Sequence, residues 1–407
     1  MSSAEKGYPS GMVAGTPRRL RSGVPRGMQP MSNCLPSRRA EDSAAGSARL
    51  LSRPYDTRGQ SEPFDPTEPQ QVDPITTLVF IKTHKTGSTT VGNILNRYAY
   101  SRNLSFLMYR YDRNKVGQFL QHIPSSQREL LPPLGVKVGD YDNYTNYDFM
   151  TAHSRFLPSL GFFKRFMKPG ARFVTIFRDP VEQWESTFFF FKCDRWFRGA
   201  NGSQKIDAFF RNAMASLRRS KGQCSFYLRN GMWFDMTDNE AIHTDRRTIN
   251  ETLRTLDKEL DLVLILEYLD ESLILLKELM HWSFSDILYI RFNQRVVKSM
   301  VNERQRALIR DWNMADVLLY EHFNQTLWKR IAEYGSQFQN DLTHFRSMLS
   351  MYTEDCKFGN YTEGFRKVYR LTPMNNSSSL CHDLSEMDYK VPVKRQSIGI
   401  KLGVKHR

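Results

Sequence analysis

No stretch of this 407-residue chain is an uninterrupted apolar run of the about 18 residues that a membrane-crossing helix needs. Its first residues lack the apolar core of a secretory signal. Its five cysteines include no CxxC pair, so zinc-cluster spacing is absent. The Gly-x-x-x-x-Gly-Lys-Ser/Thr pattern of ATP- and GTP-binding loops is also missing. Negative charge is in short supply: 43 Asp and Glu face 58 Lys and Arg, a formal charge of +15. These positives are spread through the chain and no RNA- or DNA-binding motif accompanies them, so nucleic acid is not the expected partner. A basic enzyme working on anionic ligands accounts for the charge.

What is present is a globular composition, 40% hydrophobic and 13% aromatic, enough for one large core or two smaller ones. Residues 1–73 are rich in Ser, Pro, Gly and Arg without hydrophobic periodicity, the texture of a disordered stem or tail. Residues 74–373 carry the periodic segments and are expected to form the catalytic domain. Residues 374–407 turn polar and then basic, as a loosely ordered tail does. Sequons stand at Asn103, Asn143, Asn201, Asn250, Asn324, Asn360, Asn375 and Asn376, eight of the twenty asparagines. Roughly two or three would arise by chance, so the excess points to a glycosylated, lumenal protein. With no signal or span visible, two readings stay open. Either the protein is cytosolic with accidental sequons, or its N-terminal anchor lies outside this sequence. Cys193, Cys224, Cys356 and Cys381 suit two disulfides, with Cys193–Cys224 and Cys356–Cys381 as one arrangement, or plain buried thiols. Spacing does not choose between them.

The chain is organised around Ile75–Leu95. Ile75–Ile81 is a short apolar, β-branched run, which predicts a buried strand. Lys82–Thr89 is a cationic, hydroxyl-rich loop with one glycine. Ser88–Tyr100 has helical spacing, with Val91, Ile94, Leu95 and Tyr98 on one face. Strand, loop and helix in that order make an anion cradle, because loop N–H groups and a helix N-terminus converge on one spot. Further strands are expected at Leu104–Tyr109, Tyr147–Thr151, Ala171–Phe177 and Leu262–Leu266, with a strand or extended segment at Ile287–Phe292. Helices are expected at Asn114–His122, Val181–Phe191 (Pro180 in its first turn), Ile206–Arg219, Thr248–Leu260, Glu271–Trp282 and Glu303–Tyr334. Phe226–Asp235 reads as an aromatic loop. Strands alternating with helices predict an α/β fold, mainly parallel, with helices on both faces. Ligands of such folds sit at the C-terminal strand ends, where Lys82, His153 and Arg178 fall.

A kinase or ATPase would want an acidic Mg²⁺ ligand at a strand end, and Glu267 is the one residue there to weigh. The alternative is a donor that needs no metal. His84-Lys85-Thr86-Gly87-Ser88-Thr89 resembles the loop by which sulfotransferases bind the 5′-phosphosulfate of PAPS. Arg178 and Ser186, in FRDPVEQWES, resemble that superfamily's 3′-phosphate motif. With AHSRF, YLDESLILLKELMHW and LLYEHFNQTLW, the chain from about Pro74 to Phe345 resembles the galactose 3-O-sulfotransferase family. That resemblance implies a P-loop NTPase-like sulfotransferase fold. It also implies a Golgi membrane enzyme moving sulfate from PAPS, without a metal, to the 3-hydroxyl of galactose on a galactosylceramide-like glycolipid or a glycoprotein. A small-molecule or sugar kinase is the rival.

The same chemistry suggests roles. Lys85 neutralises charge on the leaving phosphate oxygen. Lys82, Thr83, Thr86, Gly87, Ser88 and Thr89 complete the donor loop. Arg178 grips the 3′-phosphate bidentately and Ser186 adds a hydroxyl. A sugar hydroxyl wants a general base, and His84 is favoured, with His153 as the alternative or an acceptor-binding group. Trp184 is either core or near the adenine, and Arg229-Asn230-Gly231 is either a turn or a nucleotide contact. The acceptor pocket is expected from loops around Asp112–Asn146 and Cys193–Gln204.

Overall fold

The computed structural model describes residues 72–112, 115–117, 119–120, 130–134, 144–237, 245–290, 294–295, 301–356, 359–363 and 368–372, with 381, 383–384, 391 and 394–396 near the C-terminus. The chain divides into two units, Met1–Glu68 and Pro69–Arg407, and all described residues lie in the second.

The first strand, β1 (Leu78–Ile81), is fully buried, and α1 (Ser88–Ser101) follows it, with Val91, Ile94, Leu95 and Tyr98 turned inward. The strand expected at Leu104–Tyr109 is shifted. Phe106 makes a single bridge to Phe149, and regular pairing starts at β2 (Tyr109–Asp112), which turns back antiparallel onto β3 (Lys115–Gly117). The helix expected over Asn114–His122 is not formed by the described part of that span, which is β3 and then β4 (Phe119–Leu120). Gly117 weakens a helix there by about 1 kcal/mol, and pairing partners supply what local periodicity cannot show.

β5 (Phe149–Met150) and β6 (His153–Ser154) precede α2 (Phe156–Phe166), a helix that the sequence reading passed over. β7 (Arg172–Phe177) runs into α3 (Pro180–Phe190), where Asp179 caps the N-terminus by accepting from the Val181 and Glu182 N–H groups. The helix expected over Ile206–Arg219 is two, α4 (Gln204–Phe210) and α5 (Ala213–Arg219). It is split because the Asn212 side chain accepts from Ala215 N–H and starts a new helix. The loop expected over Phe226–Asp235 is a correction of more consequence. It folds as α6 (Gln223–Tyr227) and α7 (Gly231–Met236), joined through Asn230 in the left-handed region at φ 50°.

α8 (Arg246–Glu259), β8 (Leu262–Ile265) and α9 (Leu269–Met280) lie within two residues of their expected bounds. Ile287–Ile290 is buried without regular pairing, and the remaining two residues of that expected segment lie outside the described ones. A two-residue β9 (Gln294–Arg295) is next. The long helix expected at Glu303–Tyr334 breaks at Asn313 into α10 (Glu303–Trp312) and α11 (Met314–Tyr334), the latter ending at Gly335 with φ 84°. Last come α12 (Gln337–Asp355) and the hairpin β10 (Gly359–Glu363) with β11 (Val368–Thr372).

The main sheet has the order β5-β1-β7-β8 and is parallel throughout. Helices flank it, so β1 has no solvent face, and each of its side chains contributes roughly 1.5–3 kcal/mol by burial. From β1 the chain goes to the β5 edge, and from β7 it goes to β8 on the other side. The strand order therefore reverses between β1 and β7, the position beyond whose C-terminal strand ends sheets of this kind bind ligands.

A second apolar cluster gathers Val181, Trp184, Phe188, Ile206, Phe209, Leu228 and Ile309. Trp184 is in this core, donating its indole N–H to the Leu228 carbonyl at 3.0 Å. Two disulfides are formed, Cys193–Cys224 beside this cluster and Cys356–Cys381 after α12. In the C-terminal segment, Gln396 bonds both the N–H and the carbonyl of Phe106. No helix among the described residues is long and apolar enough to cross a membrane.

Candidate active site

The loop leaving β1 is knitted by its own hydroxyls. Thr83 Oγ1 donates to the Ile176 carbonyl at 2.5 Å and lies 2.6 Å from Thr86 Oγ1. Ser88 Oγ donates to the Thr83 carbonyl at 2.6 Å. Thr83, Thr86 and Ser88 are thus buried inside the loop, while Lys85, Gly87 and Thr89 keep partial exposure. Lys82 is buried at its base, its N–H bonded to the Ala152 carbonyl. The backbone is left-handed at Lys85 (φ 63°) and Gly87 (φ 76°). Gly87 is required twice over. Its φ disfavours L side chains, and a Cβ there would come 2.5 Å from Leu266 Cδ1. The helix N-terminus that follows has no side-chain cap, which leaves its positive end at the C-terminal side of the sheet.

Arg178, at the end of β7, reaches across the reversal point. Its Nη1 donates to the Lys85 carbonyl at 3.3 Å, and its Nη2 lies 3.5 Å from Glu182. Gln183, one turn into α3, donates from Nε2 to the His84 carbonyl at 3.1 Å. The Lys85 ammonium sits 3.3 Å over the Phe190 ring near the end of the same helix. Ser186 is buried on α3, two turns from Arg178. Glu267, weighed above as a metal ligand, accepts from Asp179 N–H at 3.1 Å and from Tyr320 OH at 3.2 Å. It holds the turn that aims Arg178. Burial pushes its carboxyl up from the ordinary value and pushes the Tyr320 phenol up as well. Among the described residues no three His, Cys, Asp or Glu side chains gather as metal ligands would.

His84 and His153 come together, their rings stacked with centroids 4.0 Å apart. Burial lowers the His153 pKa well below the ordinary value, and neighbouring His84 and Lys82 lower it further. The other side of His84 meets Tyr227, with ring centroids 4.0 Å apart, and Asp235. Asp235 accepts from the His84 backbone N–H at 2.7 Å and lies 3.0 Å from Nδ1. Tyr227 OH donates to the same carboxylate at 3.2 Å.

Tyr227 and Asp235 belong to α6 and α7, which are placed from afar. Asp316 on α11 accepts from the Trp233 and Met232 N–H groups at 2.7 and 3.3 Å, and Asn313 accepts from Asn230 N–H at 2.7 Å. Arg229 lies over Trp312, so the Arg229-Asn230-Gly231 segment serves as a pinned turn. The sequence reading missed Gln183, Tyr227, Asp235 and Glu267 in these roles. Gln183 had a signal, since it lies between Arg178 and Ser186, and Glu267 had one in its place just after β8. Asp235 stands 151 residues from His84 and had none. Of the loops expected to shape an acceptor pocket, Asp112–Asn146 lies mostly outside the described residues. Cys193–Gln204 begins as a short 3-10 turn with Trp196 exposed.

Lys82, Lys85, the left-handed loop through Gly87, the uncapped N-terminus of α1 and the Arg178 guanidinium thus gather at the C-terminal ends of β1 and β7. These residues fit a nucleotide donor carrying phosphate or sulfate.

A sequence profile described as galactose-3-O-sulfotransferase matches residues 44–357. Human galactose-3-O-sulfotransferase 2 is 31% identical over 273 residues, 64% of this chain and 63% of that protein. Bovine galactose-3-O-sulfotransferase 3 is 33% identical over 274 residues, 64% of this chain and 58% of that one. Mouse galactosylceramide sulfotransferase is 31% identical over 263 residues, 64% and 59% of the two chains. The chain thus spans somewhat less than two thirds of the length of the relatives it matches. A profile match over most of a chain with this parallel sheet makes the protein a member of the galactose-3-O-sulfotransferase family.

Proposed function

We propose that this protein transfers the sulfuryl group of PAPS to the 3-hydroxyl of a galactose, on a galactosylceramide-like glycolipid or a glycoprotein glycan. One observation carries the reading. The Arg178 guanidinium on the Lys85 carbonyl draws two distant motifs together where the strand order reverses. ATP does not call for two separated phosphate grips, whereas PAPS does. The residues to hold it are Lys82, Thr83, Lys85, Thr86, Gly87, Ser88 and Thr89 at the 5′ end, with Arg178 and Ser186 at the 3′-phosphate. When bound, PAPS supplies the sulfuryl group and a phosphate leaving oxygen.

The protein's part is positioning and charge. Lys85 is assigned to the leaving oxygen, and the α1 N-terminus adds partial positive charge. Lys85 leaves the Phe190 ring to do so, giving up about 0.5–1 kcal/mol of cation–π attraction. Arg178 is assigned to the 3′-phosphate, turning its planar fork from the Lys85 carbonyl and Glu182 to do so. His84 is assigned as the base for the acceptor hydroxyl. His153, held neutral by its surroundings, is assigned to the acceptor side. We place residues 74–373 as the catalytic body in the Golgi lumen or at its membrane. Two disulfides and exposed sequons at Asn103, Asn201 and Asn250 support an oxidising, glycosylating compartment.

A labelled-PAPS assay across galactosylceramide, lactosylceramide and N-acetyllactosamine tests the reading. Sulfate should appear on galactose O-3, and PAP should bind in the presence of a chelator. No transfer to any of these acceptors, together with tight Mg²⁺-dependent ATP binding, would overturn it. His84→Ala should lower kcat by roughly 10²–10⁴-fold with PAP affinity retained.

A further inference from the structure

We infer that Asp235 is the positioning residue of the proton-accepting His84, fixing its tautomer and ring angle, with Tyr227 setting how strongly it does so. This rests on the proposed role of His84. The Asp235 carboxylate holds two points of that residue, the backbone N–H at 2.7 Å and ring Nδ1 at 3.0 Å. A carboxylate accepts only, so the ring nitrogen facing it carries the hydrogen. Nε2 is then left with its lone pair, the form a base requires. A side chain held at both backbone and ring has little freedom to turn. The flanking rings of His153 and Tyr227, each 4.0 Å away, fix the remaining angle.

The proton accounting is simple. The acceptor O–H bond breaks, its proton forms the Nε2–H bond, and its electron pair stays on the attacking oxygen. The positive charge that arises on the imidazole faces the Asp235 carboxylate. Tyr227 completes the arrangement by donating to Oδ1 at 3.2 Å. Burial and the neighbouring Asp235 both raise the phenol's pKa, so it keeps its proton and remains a donor. His84, Asp235 and Tyr227 are all buried, at 6%, 3% and 2% exposure, so water does not substitute readily for any of these bonds. The other titratable or charged groups around them are His153, Lys82 beside it, Arg155 near Tyr227, and Asp316 beneath α7, which interacts with Asp235.

The test uses the full chain and begins without any substrate. Long-range ¹⁵N spectra of histidine-labelled protein should show His84 hydrogen-bearing at Nδ1. Asp235→Asn should lose that signature, lower kcat by about 10²-fold or more and move the acidic limb of the pH–rate profile down, since the anion beside the imidazole is gone. PAP affinity should stay within about threefold. Tyr227→Phe leaves the carboxylate but frees it of a donor, so it should move the same limb up, with a kcat change of only a few-fold. Opposite shifts from two neighbours are not what a loss of packing produces.

An unchanged tautomer and pH profile in Asp235→Asn, with His84→Ala inactive, would reject the inference and leave the proposed function standing. Full turnover in His84→Ala would remove the base assignment and the inference with it. If Asp235→Asn binds no PAP and melts early, the Tyr227→Phe limb decides. An upward shift supports the inference and no shift overturns it.

Discussion

The two walls of the candidate site are made in opposite ways. The donor loop is held by hydrogen bonds reaching three to five residues along the chain, Thr83 to Thr86 and Ser88 to Thr83. The facing platform of α6 and α7 is held by bonds spanning 83 and 84 residues to Asn313 and Asp316, and it meets His84 across 151. One wall is shaped by its own side chains and tied to β7 and α3 by Thr83 on the Ile176 carbonyl and Gln183 on the His84 carbonyl. The other is anchored from α11, with Tyr227 and Asp235 joined across 8 residues within it. A platform of the second kind can be re-aimed by changes far away, because the bonds that place it come from α11.

The largest expected effect removes charge from the loop wall. Lys85→Ala and Arg178→Ala should each lower kcat/KM by about 10²–10³-fold, read as labelled sulfate transfer, with the melting curve unmoved. Unaltered transfer by Lys85→Ala would reject its assigned role and leave the loop a mere binding surface.

Next comes the platform. Cys193→Ser with Cys224→Ser opens a cross-link between residues 31 apart, worth about 3–4 kcal/mol in the chain-entropy account. Urea unfolding should show that loss, while PAP affinity, a property of the loop wall, should hold. An equal fall in both would mean that the walls are not separable.

Gly87→Ala sharpens the contrast from the loop side. A left-handed alanine costs about 1–2 kcal/mol, and the added methyl meets Leu266. PAP binding should weaken about tenfold by the same scale. Leu266→Ala in the same chain should restore the steric part only. Full restoration would show that φ at this position does not matter.

The smallest effect concerns Asp316. Burial raises its carboxyl to about 7 from 3.8. Its folded value thus lies above the unfolded one. The stability that it contributes is complete below pH 3.8 and is lost as pH rises through about 7. Asp316→Asn should melt closest to the wild type at pH 4 and above it at pH 8, by differential scanning calorimetry. A constant difference at both would mean that Asp316 does not titrate in this range.

Much of this was readable in advance. The strands at Leu78–Ile81, Arg172–Phe177 and Leu262–Ile265 are apolar runs bounded by polar loops. α3 opens on Asp179-Pro180, a cap and a first-turn proline that act through adjacent bonds. What failed had its cause elsewhere. The strands β3 and β4 exist because partners pair with them, and α6 and α7 exist because Asn313 and Asp316 hold their N–H groups. Helices that short earn little from propensity and take their form from tertiary contacts.

The sequence by itself determined the parallel α/β class, the strand-loop-helix unit with Lys85 and Gly87, and the strand end bearing Arg178. Each follows from periodicity, cap chemistry or φ preference, which act over a few residues. Only the tertiary structure decided that Arg178 rests on the Lys85 carbonyl, that His84 stacks on His153, and that Asp235 and Tyr227 stand behind the imidazole. Those pairings join residues 69 to 151 positions apart in sequence. Hydrogen bonds and ring contacts fix them only once the burial of the sheet has closed the chain around the site.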